Sequence, residues 1–299
     1  MNCDFYAEWY GKNIPINWNP YTKIKLTKIK DTKKYEKQIK YYTDYEILPA
    51  INMLENLGLI QKDFPINELP KYSIFLKIVF NLKKSYIGAD DEGLYPKDNP
   101  VCKDKVFKVP YVRPSSWKGA LRWVAKNVLK KDSMVIERLF GNEKENEIAR
   151  QGRLTLYPTF FNKIDLDVIT PLKRDDRTPA RGPITFEVAP GVSIDENGEE
   201  IDGAEGTFSL LYVPFDLIGK KETIIKKEVK EDLEIIRDSI KVLLSEYGFS
   251  AKKTSGYGVI IEESFFYKII GNKISFEPTF EGGIKDFKEL KPKLVIENA

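Results

Sequence analysis

The sequence contains no histidine. That removes the commonest general base and the commonest metal ligand, so any catalysis must come from carboxylates, lysine, tyrosine or a bound cation. Cysteine is nearly absent as well. Cys3 and Cys102 lie far apart and form no C-x-x-C pair, which argues against a thiolate zinc site and against a disulfide scaffold. Long apolar runs are missing: the best candidate, "SIFLKIVFNL", is broken by Lys77 and falls short of the roughly twenty residues that cross a bilayer. The opening "MNCDFYAEWYGKNIPINW" lacks the basic-then-apolar layout of a secretory signal, so the expected setting is a reducing cytoplasm without a membrane partner. Arginine is scarce too. Only nine of the 48 basic residues are Arg; the other 39 are Lys.

What is present points to a folded chain. The 299 residues are 42% hydrophobic and include 17 Phe, 16 Tyr and 4 Trp, enough for one large core or two modest ones and too many for a disordered chain. A net charge of +3 does not by itself mark a nucleic-acid binder. The distribution is more informative, because eight of the nine Arg lie between Arg113 and Arg181. Two readings of that cluster stay open: forked contacts to phosphate or carboxylate, or ion pairs with nearby Asp and Glu. Residues 23–40 hold eight Lys against Asp31 and Glu36, either a solvated basic arm or a contact for RNA. Tyr41, Tyr42 and Tyr45 follow, able to stack on bases or to pack against their own domain.

Six ordered elements are expected after residue 70. "YSIFLKIVFNL" (72–82) reads as a strand. In "VPYVRPSSWKGALRWVAKNVL" (109–129), Ser115 and Ser116 are expected to cap a helix whose Trp117, Leu121, Val124 and Val128 share one face. Lys118, Arg122 and Lys126 recur at i,i+4 and predict a basic stripe on the solvent side. "RLTLYPTFF" (153–161) and "TFSLLYVPF" (207–215) read as strands, and Val229, Leu233, Ile236, Ile240 and Leu243 mark a second amphipathic helix ending near Gly248. "YGVIIEESFF" (257–266) is expected to close the fold as a strand. The order βαββαβ is that of ferredoxin-like and RNA-recognition folds, an α+β class. Two long excursions, 83–114 and the turn-rich stretch before residue 207, interrupt that small sheet, and loops of this length in a compact domain tend to be functional. "YGFSAKKTSGYGVI" places Gly248, Gly256 and Gly258 around Lys252 and Lys253, a pattern that suits close approach to a phosphate chain as well as ordinary turns.

Four segments follow in order: "DNPVCKDKVFKVPYV", "PSSWKGALR", "KRDDRTPARGPITFEVAPGVS" and "GFSAKKTSGYG". Together they resemble the RAMP superfamily of CRISPR-associated proteins, in particular the repeated backbone subunits of type III RNA-guided effector complexes, with a likeness over about residues 72–265. The N-terminal seventy residues fall outside the likeness, and Arg113–Pro114 stands where the family carries a glycine before its paired serines. The resemblance implies a ferredoxin-like palm over residues 71–299, a thumb inserted at about 165–206, and an extension over 1–70. It also implies partners: a guide RNA (crRNA), a complementary target RNA and other CRISPR effector subunits. Arg113, Ser115, Ser116, Lys118 and Arg122 would then meet guide phosphates, with Lys252, Lys253, Gly248, Gly256 and Gly258 beside them. Arg174, Arg177 and Arg181 would lie on the thumb. Such a protein reads phosphate and shape, leaving sequence to base pairing.

The same resemblance assigns Asp98, in the loop after the first strand, to metal-dependent cleavage of paired target RNA, with Mg2+ or another divalent cation; Asp90, Asp91 and Asp104 share that loop and are expected as secondary metal partners. Asp175 and Asp176 are expected to balance the thumb arginines. Residue chemistry alone also allows Asp98 to cap a turn through Asn99–Pro100. Three alternatives stand beside this reading: a noncatalytic subunit capping one end of the filament, a guide-processing endoribonuclease, for which the missing histidine is a difficulty, and a ferredoxin-like regulatory domain without RNA.

Overall fold

The computed structural model describes residues 43–61, 64–89, 99–142, 150–170, 173, 175, 178–180, 182–194 and 197–294. In chain order the elements are α1 (Leu48–Asn56), β1 (Ile74–Asn81), β2 (Tyr111–Val112), α2 (Pro114–Trp123) and α3 (Ser133–Phe140). Then come β3 (Leu154–Leu156), β4 (Thr159–Phe160), β5 (Asp165–Ile169), β6 (Ile184–Val188), β7 (Ser193–Ile194), β8 (Glu200–Ile201) and β9 (Glu205–Tyr212). The last are α4 (Glu222–Val242), β10 (Phe266–Gly271), β11 (Ile274–Glu277), β12 (Glu281–Gly283), α5 (Ile284–Glu289) and β13 (Lys291–Leu294).

The β-branched and aromatic run expected over 72–82 forms β1, the centre of a five-stranded antiparallel sheet ordered β12-β10-β1-β9-β3. Its pleat sorts the side chains. Ile74, Leu76, Ile78 and Phe80 join the main core with Trp117 and Leu121 of α2 and Leu233, Ile236 and Ile240 of α4. Phe75 points the other way, stacked on Phe64 at 5.4 Å and packed with Ile66, Leu211 and Val213. Ile47, Leu54 and Ile60 also enter the main core, so the chain is packed in from at least residue 47. Residues 23–40, Tyr41 and Tyr42 lie outside the described residues, and Tyr45 is exposed. Among the described residues no helix is long and apolar enough to cross a membrane.

Three expected elements differ from the observed ones. The strand expected over 153–161 is split in two by Pro158: β3 pairs with β9 in the main sheet, while β4 pairs with β2. A proline cannot donate to a ladder, so the chain leaves one sheet there and enters another. The closing strand sits later than expected, at Phe266–Gly271. Tyr257 and Gly258 are in a turn, Ile260 makes one isolated bridge to Leu82, and Glu262–Ser264 is a 3-10 turn. The third difference lies at the start of α2. Pro114, not a serine, opens the helix after an extended Arg113, and no side chain caps it, which leaves Ser115 and Ser116 exposed in the first turn.

The buried Arg153 and the half-buried Arg138 bear on the open question about the Arg cluster. Arg153 donates to Asp232 at 2.7 Å, to Asp216 at 2.6 and 2.7 Å and to Glu228 at 2.6 Å. Arg138 donates to the other oxygen of Asp232 at 2.6 and 2.9 Å and to Glu231 at 2.8 Å. The Tyr212 hydroxyl donates to Asp232 at 2.9 Å. Burial opposes the Arg153 charge, but the bonds to Asp216 and Glu228 and the charge of Asp232 outweigh it and hold its pKa above the usual guanidinium value. For these two residues the ion-pair reading holds. Arginine suits the task, because its fixed fork satisfies several carboxylates at once.

Candidate nucleic-acid interface

The glycine-rich loop is brought to α2 by one aromatic side chain. Phe249, directly after Gly248, inserts beside Trp117 with ring centroids 4.4 Å apart, and also meets Phe80 and Tyr86. The Trp117 indole donates to the Thr159 hydroxyl at 3.0 Å, which fixes the helix over β4. From that anchor the loop climbs to the surface. Lys252 adopts a left-handed conformation, Lys253–Ser255 make a 3-10 turn, and Gly256 reverses the chain. The Lys253 ammonium stands 5.4 Å over the Trp123 ring, at the end of α2 next to Arg122. The loop and the helix therefore share one side of the molecule.

The same loop also joins two other elements. The Lys84 ammonium donates to the Ser255 carbonyl at 3.0 Å, and the Gly258 N–H meets the Lys84 and Ser85 carbonyls just after β1. Towards the β5–β6 hairpin, the Tyr257 hydroxyl donates to Asp167 at 2.8 Å and the Lys252 ammonium lies 4.8 Å over the Phe186 ring. Lys84 was not among the residues expected at the site; its signal is the Lys83–Lys84 pair at the exit of the first strand. Trp123 was also missed, an exposed aromatic that meets the Lys253 ammonium and, edge to face, the Tyr247 ring.

The glycines serve the protein's own packing more than expected. Gly248 and Gly258 are buried, with φ of +73° and +76°. A Cβ on Gly258 would stand 2.6 Å from the Ser250 Cβ and 2.7 Å from its backbone nitrogen. Only Gly256 is open enough for a ligand to approach, against the Lys84 side chain. Gly258→Ala is thus expected to cost about 1–3 kcal/mol in urea unfolding. Gly58→Ala, with positive φ but nothing within 4 Å, costs about 1 kcal/mol.

The helix stripe is less uniform than its spacing predicts. Lys118 is half-buried, and burial together with the nearby Arg122 charge lowers its pKa. Burial also lowers the pKa of Lys253. Lys126 is exposed. Arg122 does not lie free on the solvent side. Its Nη2 donates to the Phe140 carbonyl at 2.7 Å and to the Gly141 carbonyl at 3.1 Å, and its guanidinium stands 5.9 Å from the Phe140 ring. The end of α3 leaves carbonyls without helical partners, and a cation there satisfies them. Arg113 is half-buried and engaged with the Tyr111 hydroxyl.

Asp98, Asp90 and Asp91 lie outside the described residues, as do Arg174, Arg177, Arg181 and Asp176; Asp175 is exposed in the turn beyond β5. The Asn99 carbonyl accepts from the Glu187 N–H at 2.9 Å. The Glu187 carboxylate is buried, accepting from the Val101 N–H at 3.1 Å and from the Lys103 ammonium at 2.7 Å. The loop after β1 is thereby tied to the root of the β5–β6 hairpin. Asp104 uses its carboxylate on its own turn, accepting from the Val106 and Phe107 N–H groups at 2.9 Å each. Among the described residues no group of three or more His, Cys, Asp or Glu could hold a metal ion, so those residues offer Mg2+ no built site.

A family model described as the RAMP superfamily matches residues 82–261. The CRISPR system Cms endoribonuclease Csm3 of Streptococcus thermophilus is 28% identical over 190 residues, spanning 60% of this chain and 81% of that protein. Among solved structures, the type III-B Cmr-beta complex bound to cognate target RNA has a similar chain at 16% identity and a TM-score of 0.45, covering 89% of this chain and 82% of that one. A Csm3–Csm4 subcomplex of the type III-A interference complex gives 15% identity and a TM-score of 0.35, covering 76% of this chain and 90% of that one.

Proposed function

The chain belongs to the RAMP superfamily, and from that premise we propose that it is a backbone subunit of a type III CRISPR effector complex that binds guide RNA. The relative from Streptococcus thermophilus carries a CRISPR endoribonuclease name, which supports the reading. In it, residues 1–70 are an extension and 71–299 the RAMP-type domain with its thumb at about 165–206. A ferredoxin-like palm fits the central order β10-β1-β9-β3, which is last-first-third-second among the strands of a βαββαβ unit whose helices are α2 and α4.

The observation that carries the proposal is the junction of α2 with the glycine-rich loop. Lys253 stands over Trp123 at the end of α2, Lys84 reaches the Ser255 carbonyl beside Gly256, and Lys252 faces Phe186 of β6, while Lys118 and the exposed Ser115 and Ser116 lie earlier on the same helix. Ammonium groups neutralise successive phosphates without reading bases, and the exposed Ser115 and Ser116 hydroxyls add donors at the start of α2, where the Ser116 and Trp117 N–H groups are already taken by the Arg113 carbonyl. Two of these ammoniums are partly desolvated before RNA arrives, so a phosphate partner recovers charge stabilisation that the free protein lacks. Asp98, on the loop tied to the thumb root at Asn99, is the candidate for cleaving paired target RNA.

The test uses short single-stranded RNA and the full chain. Losing two phosphate contacts lowers the slope of log affinity against log salt by about 1.4, which at 0.1 M salt is about 25-fold in affinity. Lys118→Glu with Lys253→Glu should show at least that loss. An unchanged salt slope in the double variant, with native circular dichroism, would remove this junction from the RNA path.

A further inference from the structure

Beyond the junction, α2 and α3 enclose a second basic concavity. It measures about 380 Å³ and is lined by Arg122, Lys126, Lys131, Ser133, Ile136, Glu137 and Gly141. The turn that shapes it follows α2. Lys130 takes a positive φ of 52°, and the Lys131 N–H returns to the Ala125 carbonyl at 3.1 Å, which sets Lys131 opposite the end of the helix stripe. Ser133 then opens α3, and Glu137 follows one turn later on the same face.

The charges of this cavity have few internal uses. Among the described residues Lys126, Lys131 and Glu137 make no salt bridge with one another or with other groups. Arg122 is held in place through Nη2 by the Phe140 and Gly141 carbonyls, while its buried Nε–H has no acceptor among the described residues. Three cations face one carboxylate and one hydroxyl. Three cations against one carboxylate in one concavity raise the local potential for an anion.

We propose that this cavity is a binding site for a phosphate-bearing ribonucleotide. The cations of Arg122, Lys126 and Lys131 take the phosphate, and Glu137 and Ser133 accept from ribose hydroxyls or a base amino group. The donor set is mixed, which a plain anion site would not require. A nucleotide suits the volume, since ligand pockets begin at about 300 Å³. The nucleotide can come free in solution or as part of an RNA strand running along α2.

The experiment titrates the full chain with AMP, with inorganic phosphate and with a short oligoadenylate, following each by calorimetry. The variants are Lys131→Glu, Glu137→Gln and the junction pair Lys118→Glu with Lys253→Glu. Lys131 is exposed, so its replacement leaves the fold intact. Lys131→Glu is expected to weaken AMP at least tenfold and Glu137→Gln about threefold, while the junction pair, which reaches the cavity only through the charge of Arg122, weakens AMP several-fold less than Lys131→Glu does. If Lys131→Glu weakens oligoadenylate as well, the nucleotide is supplied by the strand; if it weakens AMP alone, the ligand is free. No AMP binding at millimolar concentration, equal AMP affinity in wild type and Lys131→Glu, or phosphate binding as tightly as AMP would each overturn the assignment. Because the junction pair and Lys131→Glu are read separately, failure of the guide-strand proposal leaves this one standing, and the reverse.

Discussion

Asp232→Asn is expected to lower the stability of the full chain by about 3–5 kcal/mol, whereas Asp216→Asn lowers it by under about 1 kcal/mol. Asp232 is fully buried and serves three donors: Arg153, Arg138 and the Tyr212 hydroxyl. Burial pushes its carboxyl above the usual carboxylate value, and the two guanidinium charges bring it only part of the way back. Removing the charge strands two arginines beneath α4, one of them almost without solvent. Asp216 touches the same Arg153, but it is half exposed, and water replaces what it gives up. Urea unfolding of both variants separates the cases. Near-equal losses would mean that the network contributes through packing and not through charge.

Asp98→Ala is expected to reduce cleavage of complementary RNA by the assembled, Mg2+-supplied complex about 10²–10⁴-fold, the range for losing a positioned carboxylate, while guide binding is unchanged. Asp104→Ala provides the contrast. Its carboxylate already holds the Val106 and Phe107 N–H groups, so its loss should loosen a turn and leave the cleavage rate within a few-fold. Equal rates for wild type and Asp98→Ala would strip that residue of the catalytic role and leave it as a turn former before Pro100.

The pattern of the sequence carried some parts of this structure and not others, for identifiable reasons. β1 and α4 were legible because each repeats one period over at least eight residues, two in the strand and 3.6 in the helix. The split at Pro158 could have been read, since the proline stands in the middle of the run. The displaced last strand could not. "YGVIIEESFF" is rich in strand formers, but Tyr257 and Gly258 are claimed by the turn under Ser250 and by Asp167, a demand set by distant chain. α3 was passed over, although Val135, Ile136, Leu139 and Phe140 before Gly141 were a sufficient signal. β12, "EGG", has no strand propensity and exists only because β10 offers it an edge.

For the site, the lysines of the glycine-rich loop were found by composition, and their placement beside Trp123 is owed to Phe249, whose partner Trp117 lies more than a hundred residues earlier. The arginine cluster divides into several uses. Arg138 and Arg153 serve the interior, Arg122 closes a helix end, and Arg113 serves a tyrosine.

This division of labour makes the two kinds of cation chemically separable. Amine-directed acylation would blanket Lys84, Lys252 and Lys126 and abolish their attraction for polyanions, yet the guanidinium groups that brace the interior do not react. Lys103, sealed against Glu187, should escape the reagent as well. A protein so treated ought to melt near its original temperature while no longer retaining RNA on a filter.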